Sequence, residues 1–104
     1  MPSTATRLRI FLITFDIPGA TPGDSRYRYV DQFLRRCGTV FKPMKQVRLL
    51  VTDENPALVV RGVRARIGAA GNATALRIGK YSSVDCIDPG MQRQIRSLIR
   101  SYGR

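Results

Sequence analysis

The chain has 104 residues, of which 43% are hydrophobic, a composition that predicts one domain over residues 1–104 with a modest core. Its 18 basic residues, fifteen of them arginine, outweigh 7 acidic ones and give a net charge of +11. Nine basic and three acidic residues fall in 1–52, and nine and four in 53–104, so the charge is spread over the folded body. Such a field attracts polyanions, and the arginine fork suits phosphate oxygens, so nucleic acid is the leading predicted partner. The alternative is a codon bias toward arginine that leaves only a basic surface.

Several classes of protein are excluded by what the sequence lacks. No apolar run approaches the roughly 20 residues that a membrane-spanning helix needs, so we expect no membrane association. The N-terminal segment has no small-residue cleavage site and reaches Asp16 too soon for a signal peptide. Histidine is absent, and Cys37 and Cys86 fit no metal spacing, which excludes the usual zinc sites and Ser-His triads. We therefore expect a cytoplasmic protein in which Cys37 is a small core side chain.

The first predicted strand covers residues 7–16 and has apolar side chains on both of its faces. Such a strand is central in a sheet that is covered above and below. A loop rich in Pro and Gly follows, and a helix begins after Asp24, a good cap, and ends at Gly38. The apolar stripe of this helix comprises Tyr27, Val30, Phe33, Leu34 and Cys37.

The middle of the chain is predicted to form two strands, over residues 39–45 and 46–52. Pro43 favours an edge strand or a kinked hairpin for the first of them. A second helix is capped by Asp53 or Asn55 and carries proline in its first turn. Its apolar stripe comprises Val59, Val63 and Ile67.

The last third of the chain supplies one more strand and one more helix. Gly62 is expected to weaken the second helix, which gives way to a loop at residues 68–72. Residues 74–81 are predicted as the fourth strand, and Asp88 caps a terminal helix with one apolar and one basic stripe. The apolar stripe of that helix comprises Met91, Ile95, Leu98, Ile99 and Tyr102.

The order of these elements is β-α-β-β-α-β followed by a helix. This predicts an α+β, ferredoxin-like fold: a four-stranded antiparallel sheet with the first and third strands in the centre and two helices on one face. The other face of the sheet needs a cover, which the terminal helix, a second copy of the chain or a nucleic acid can supply. The terminal helix accordingly packs either on its own sheet or on another molecule.

The segments FDIP at residues 15–18 and DSRYRYVDQFLRRCG at residues 24–38 resemble the CRISPR-associated Cas-two family, the smaller of the two spacer-adaptation subunits. The resemblance covers about residues 9–38; beyond it the chain departs from the family, with Lys42 where a Glu is expected. It implies a compact ferredoxin-like homodimer that binds DNA or RNA in antiviral defence, with a CRISPR integrase subunit as a further partner.

Asp16 is the position that the resemblance marks as catalytic and as the metal ligand. In that family the two strand-end Asp residues of a dimer are thought to approach each other and hold a divalent cation. The implied cofactor is Mg²⁺ or Mn²⁺, for which oxygen ligands are appropriate. The alternative is that Asp16 accepts hydrogen bonds from the Gly/Pro turn that follows it.

The first helix carries the candidate nucleic-acid contacts. Its arginines lie largely off the apolar stripe and are candidates for phosphate contacts that position a strand without reading its sequence, or else they form a solvated face. Between them, Tyr29 is the better candidate for base stacking, whereas Tyr27 lies on the apolar stripe and is expected in the core. The nucleic-acid-binding candidates are Arg26, Arg28, Tyr29, Arg35 and Arg36.

Three functions are therefore carried forward. The first is a Cas-two-like, nucleic-acid-binding homodimer that acts as a Mg²⁺-dependent endonuclease or as a scaffold holding DNA for an integrase. The second is a non-catalytic nucleic-acid-binding or ribonucleoprotein subunit without metal. The third is a toxin-type ribonuclease, related to virulence-associated protein D. The chain has no His and no Glu beyond Glu54, so any hydrolysis depends on metal and arginine, and this scarcity favours a structural role.

Overall fold

The computed structural model of the chain describes residues 8–85 and 88–103. The elements are β1 (Arg9–Phe15), α1 (Ser25–Cys37), β2 (Thr39–Met44), β3 (Val47–Thr52), α2 (Pro56–Ile67), β4 (Ala73–Arg77) and α3 (Pro89–Tyr102). All strands pair antiparallel in one sheet of order β2-β3-β1-β4, so β1 and β3 are central. This α+β arrangement confirms the predicted ferredoxin-like order with an added terminal helix.

The end of β4 differs from the predicted range, and the predicted start of the first strand cannot be compared with the structure. β4 ends at Arg77, short of the predicted residue 81. After one more backbone bond, from Ile78 N to Ile10 O (3.0 Å), the chain turns, and Ser82 N donates to Gly79 O. The apolar pattern of 74–81 did not show this turn. The predicted start of the first strand at residue 7, like Cys86, lies outside the described residues.

Strand β1 is buried on both faces, as its pattern predicted. Ile10 and Ile13 point to opposite sides of the sheet, and each is 0% exposed. On one side β1 and β3 pack against α1 and α2. The core on that side consists of Phe11, Ile13, Phe15, Ile17, Val30, Leu34, Leu50, Val59, Val63 and Ile67.

Helix α3 covers the second face of the sheet. Leu98 packs against Ile10, Leu49 and Val51, and Ile95 adds a partly buried contact to the same cluster. The terminal helix therefore supplies the cover that the sequence left open, and its apolar stripe faces its own sheet. None of the helices within the described ranges, α3 included, is long and apolar enough to cross a membrane.

Gly62 lies where α2 meets α1. A Cβ atom at this position would overlap the ring of Phe33. The guanidinium of Arg66 lies 4.3 Å from the centroid of that ring and donates a hydrogen bond to Gly62 O (2.9 Å). The glycine that was predicted to weaken α2 thus permits the two helices to approach closely, which only a residue without a side chain allows.

A buried ion pair joins α1 to the hairpin between β2 and β3. Arg48 on β3 is 0% exposed and donates from Nε to Asp31 Oδ1 (2.6 Å) and from Nη2 to Asp31 Oδ2 (3.3 Å). Its Nη1 donates to the carbonyl oxygens of Met44 and Lys45 in the hairpin (2.8 and 3.0 Å). The guanidinium also lies 5.2 Å from the ring centroid of Phe15. The charge is therefore both paired and hydrogen-bonded, as a buried arginine requires.

Asp24 caps the start of α1, as predicted. Its carboxylate accepts hydrogen bonds from Arg26 N (2.9 Å), Nε (3.0 Å) and Nη2 (2.7 Å). The side-chain hydrogen bonds of Arg26, and then the bond from its backbone N–H, lower the pKa of Asp24 from 3.8 to about 2. Arg26 also donates to Pro18 O (3.2 Å) and Ile67 O (3.3 Å), so one side chain joins the loop, α1 and the end of α2.

The remaining caps and the described cysteine agree with prediction. Asn55 caps α2 by accepting from Ala57 N (2.8 Å), and Asp88 caps α3. Cys37 is a free thiol that packs against the core, as expected for a small apolar side chain. Burial raises the pKa of this thiol, which disfavours the reactive thiolate.

Removing Asp31 is expected to cost more stability than removing the whole ion pair. We expect Asp31→Ala to lower the free energy of unfolding by about 3 kcal/mol, because the Arg48 guanidinium is left buried without a counter-charge. The double variant Asp31→Leu, Arg48→Met, which removes both charges, should retain more stability. Urea unfolding followed by circular dichroism measures both. A single variant within about 0.5 kcal/mol of wild type would contradict a structural role for the pair.

The ion pair between Asp24 and Arg26 predicts a pH-dependent contribution to stability. Because the pKa of Asp24 is lower in the folded chain, the contribution is complete above about pH 4 and is lost as the pH falls toward 2. Asp24→Asn keeps a capping side chain and removes the charge. Unfolding free energies should differ between the two proteins at about pH 5 and converge near pH 2. A difference that is constant over this range would show that the ion pair does not stabilise the fold.

Candidate nucleic-acid interface

The exposed sides of α1 and α2 carry arginine as their only charged residues. Three arginines are exposed on α1 and two on α2, and neither helix has an exposed carboxylate. The helices pack side by side through Phe33 and Gly62, so their outer sides are neighbours. We call this the helix-layer surface, and it comprises Arg28, Tyr29, Arg35, Arg36, Arg61 and Arg64.

The helical period places these arginines on the outer side. Val30 and Leu34 on α1, and Val63 on α2, are fully buried against the sheet. Residues three, four and seven positions apart share one side of a helix, so Arg28 and Arg35 lie together on the side away from the core. The predicted contacts Arg28, Arg35 and Arg36 are therefore accessible together.

An aromatic side chain interrupts the arginines on α1. Tyr29 is 43% exposed, and the Cζ atom of Arg28 lies 5.5 Å from the centroid of its ring. An exposed ring beside a guanidinium offers a platform on which a nucleobase can stack. Tyr27, by contrast, packs against the core with its ring centroid 6.1 Å from that of Phe15. The prediction that Tyr27 packs in the core is confirmed, and base stacking on Tyr29 stays a prediction.

The structure places Arg26 away from this surface. Its guanidinium is engaged by the carboxylate of Asp24 and by two carbonyl oxygens, those of Pro18 and Ile67. These contacts leave it to hold the loop before α1, so we do not include Arg26 in the helix-layer surface. The sequence signal for this pairing was the position of Arg26, two residues after the helix cap Asp24.

Asp16 lies at the end of the sheet, directly after β1. Its side chain is exposed, and within the described ranges its carboxylate has no hydrogen-bond or ion-pair partner. Its backbone N–H donates to Asn72 O (2.9 Å), and the following turn is closed by a bond from Ala20 N to Ile17 O (3.1 Å). The alternative in which the Asp16 carboxylate accepts bonds from that turn is therefore not the arrangement observed.

The surroundings of Asp16 are rich in oxygen donors. A cavity of about 290 Å³ at this end of the sheet is lined by the polar residues Asp16, Thr14, Gln46, Asn72 and Thr74 and by Phe15 and Val47. Carboxylate, amide and hydroxyl oxygens are the ligands that Mg²⁺ and Mn²⁺ accept. No group of three or more His, Cys, Asp or Glu side chains that could hold a metal occurs in the described part of the chain. One molecule thus offers a single carboxylate and several neutral oxygens.

A second basic surface lies on the opposite side of the sheet. Arg93, Arg96 and Arg100 are exposed on α3, whose apolar stripe covers the face away from α1 and α2. Sequence reasoning limited the binding candidates to α1 and did not include Arg61 and Arg64 of α2. The signal that these two belong to the same surface was their position off the apolar stripe of a helix that the fold places beside α1.

Comparisons with family models, with curated proteins and with solved structures find no match for this chain. The resemblance to the Cas-two family therefore stays a prediction that is carried by the motifs at residues 15–18 and 24–38. A function has to be inferred from the helix-layer surface and from the oxygen-lined end of the sheet.

Proposed function

We propose that this protein binds nucleic acid through the helix-layer surface. The observation that supports this most is the sign of the exposed charge on α1 and α2, five arginines and no carboxylate. A phosphodiester chain presents repeating negative charges, and neutralising them with arginine releases condensed counterions, which drives binding. Guanidinium groups also donate forked hydrogen bonds to phosphate oxygens.

The surface holds a strand by its backbone and stacks one base. Arg28, Arg35 and Arg36 contact successive phosphates and fix the position of the strand without reading its sequence. Tyr29 accepts an unstacked base on its exposed face, which favours single-stranded nucleic acid or the single-stranded end of a duplex. Arg28, beside the ring, adds a cation to the same contact.

A homodimer is part of the proposal, with the uncovered end of the sheet as the contact between copies. On the face that α3 covers, Met44 and Leu76 remain 62% and 56% exposed. Met44 pairs with Val47, which pairs with Thr14, so Met44 adjoins the Asp16 end, whereas Leu76 pairs with Leu12 farther back along β1. A second copy seated at the Asp16 end buries Met44 and leaves the helix-layer surface free. We propose that the protein acts in the cytoplasm. An integrase subunit is a further proposed partner.

Metal-dependent phosphodiester hydrolysis is the second candidate function. It is favoured by the exposed carboxylate of Asp16, which has no partner among the described residues and shares a cavity with Gln46 and Asn72. The residues fit a hard divalent cation, and Asp16 would hold it, with a second carboxylate coming from the other copy. Such a cation supplies an activated water and stabilises charge on a phosphoryl oxygen. If Asp16 serves no such purpose, the protein is a non-catalytic binding subunit.

The location of the binding surface can be tested by removing equal charge from two sides of the protein. Replacing Arg28, Arg35 and Arg36 together with glutamine should weaken binding to a short single strand about tenfold or more. The slope of log affinity against log salt should fall by about 2. The matched control replaces Arg93, Arg96 and Arg100 of α3 with glutamine and should change both much less.

Fluorescence anisotropy with a labelled oligonucleotide, measured over a range of salt concentrations, supplies both quantities. Equal losses in the two triple variants would show that net charge alone governs binding. An affinity that does not fall as salt rises would exclude phosphate contacts altogether.

The catalytic role of Asp16 is tested by metal titration. Cleavage of RNA and DNA by wild type should rise with Mg²⁺ or Mn²⁺, and Asp16→Asn should reduce it by at least about a hundredfold. Asp85→Asn removes an exposed carboxylate elsewhere and serves as the control. Equal cleavage by wild type and Asp16→Asn would remove Asp16 from any catalytic role, and the binding proposal would stand without it.

A further inference from the structure

A cleft at the opposite end of the sheet from Asp16 combines a partly buried and an exposed arginine with two exposed carboxylates. Its volume is about 520 Å³, within the range of sites that enclose small ligands. The start of β1, the end of β3, the start of α2 and β4 form its walls. The lining residues are Arg9, Phe11, Thr52, Asp53, Glu54, Pro56, Ala75 and Arg77.

The basic side of the cleft contains an arginine nitrogen without an acceptor. Nη1 of Arg9 is buried, yet no protein atom in the described ranges accepts a hydrogen bond from it. Buried polar groups are nearly always satisfied, and a guanidinium nitrogen more than most, so an isolated one at the wall of a cleft points to a ligand. Arg9 pairs with Thr52 across the sheet, but that hydroxyl donates to Cys37 O (2.7 Å) and accepts from Glu54 N (3.0 Å).

The acidic side of the cleft is formed by two neighbouring carboxylates. Asp53 and Glu54 are both exposed, and neither forms an ion pair with a residue that the structure describes. Arg9 and Arg77 balance these two charges, so the lining has no excess positive charge that would favour a bare phosphate or sulfate ion. The ligand that suits this cleft therefore carries an acceptor for Arg9 together with N–H donors for the carboxylates.

We propose that the cleft binds one unstacked guanine nucleotide of the bound strand, an inference that rests on the proposed function. Guanine presents N1–H and N2–H₂ side by side, which suits a carboxylate, while a phosphate or sugar oxygen accepts from Arg9. Adenine and cytosine offer one amino group there. Uracil offers a single N–H between two carbonyl oxygens, which the carboxylates disfavour. The helix-layer surface binds without sequence preference, and the cleft adds a preference for guanosine.

The test compares two strands that differ in one base. We expect wild type to bind an oligouridine with one central guanosine roughly tenfold more tightly than the all-uridine strand. The double variant Asp53→Asn, Glu54→Gln should lose this preference while its affinity for the all-uridine strand stays equal or rises. Both side chains are exposed, so the variant is expected to fold. Asp85→Asn controls for the loss of an exposed carboxylate and should keep the preference.

The outcomes separate the cleft from the helix-layer surface. Equal binding of both strands by wild type, or a preference that survives in the double variant, overturns the cleft and leaves the proposed function intact. If no strand binds at all, the proposed function fails, and free guanosine monophosphate tests the cleft alone. Saturable binding of that nucleotide, weakened by Asp53→Asn with Glu54→Gln and not matched by uridine monophosphate, would retain it; no binding would overturn it.

Discussion

The requirement that β1 be covered on both faces governs the rest of this molecule. Ile10 and Ile13 leave the strand in opposite directions, and neither is accessible to water. Returning such side chains to water would cost a few kcal/mol each, about 1.5–3 for a residue of this size. A single layer of two helices cannot meet the requirement, so α3 is needed on the second face. Three helices around one sheet leave their outer sides to solvent, and arginine occupies most of the charged positions there.

This arrangement also determines which charges are available to a partner. Arg48 and Arg26 are used within the fold, each paired with the carboxylate of an aspartate, Asp31 or Asp24. Those pairings take two of the seven acidic residues, and the exposed sides of α1 and α2 carry none of the others. The two ends of the sheet hold the other candidate sites: at one end Asp16, whose carboxylate has no partner among the described residues, and at the other the cleft with Arg9. The buried centre of the sheet and its more accessible ends therefore follow from one topology.

Features that depend on neighbouring residues in the sequence could be predicted, whereas features that depend on contacts between distant parts of the chain could not. The caps Asp24 and Asp88 bond to backbone groups two or three residues away, so a short motif contains all of the information. The packing role of Gly62 could not be predicted, because it depends on the approach of another helix. The partners of Arg48 could not be predicted, since strand periodicity gives its direction and not the presence of Asp31, seventeen residues away on α1. Periodicity also located the arginines of the candidate surface but could not join α1 with α2 or find the cleft beside Arg9.

The most direct test of the central claim observes the arginines themselves. Proton–nitrogen NMR of the arginine side chains resolves each Nε–H group, and titration with a short single-stranded oligonucleotide at low salt reports which of them the strand contacts. The account predicts that the signals of Arg28, Arg35 and Arg36 shift, whereas those of Arg26 and Arg48 stay in place because their partners are within the protein. Shifts confined to the arginines of α3, or no shift in any arginine, would contradict the assignment of the helix-layer surface as the nucleic-acid interface.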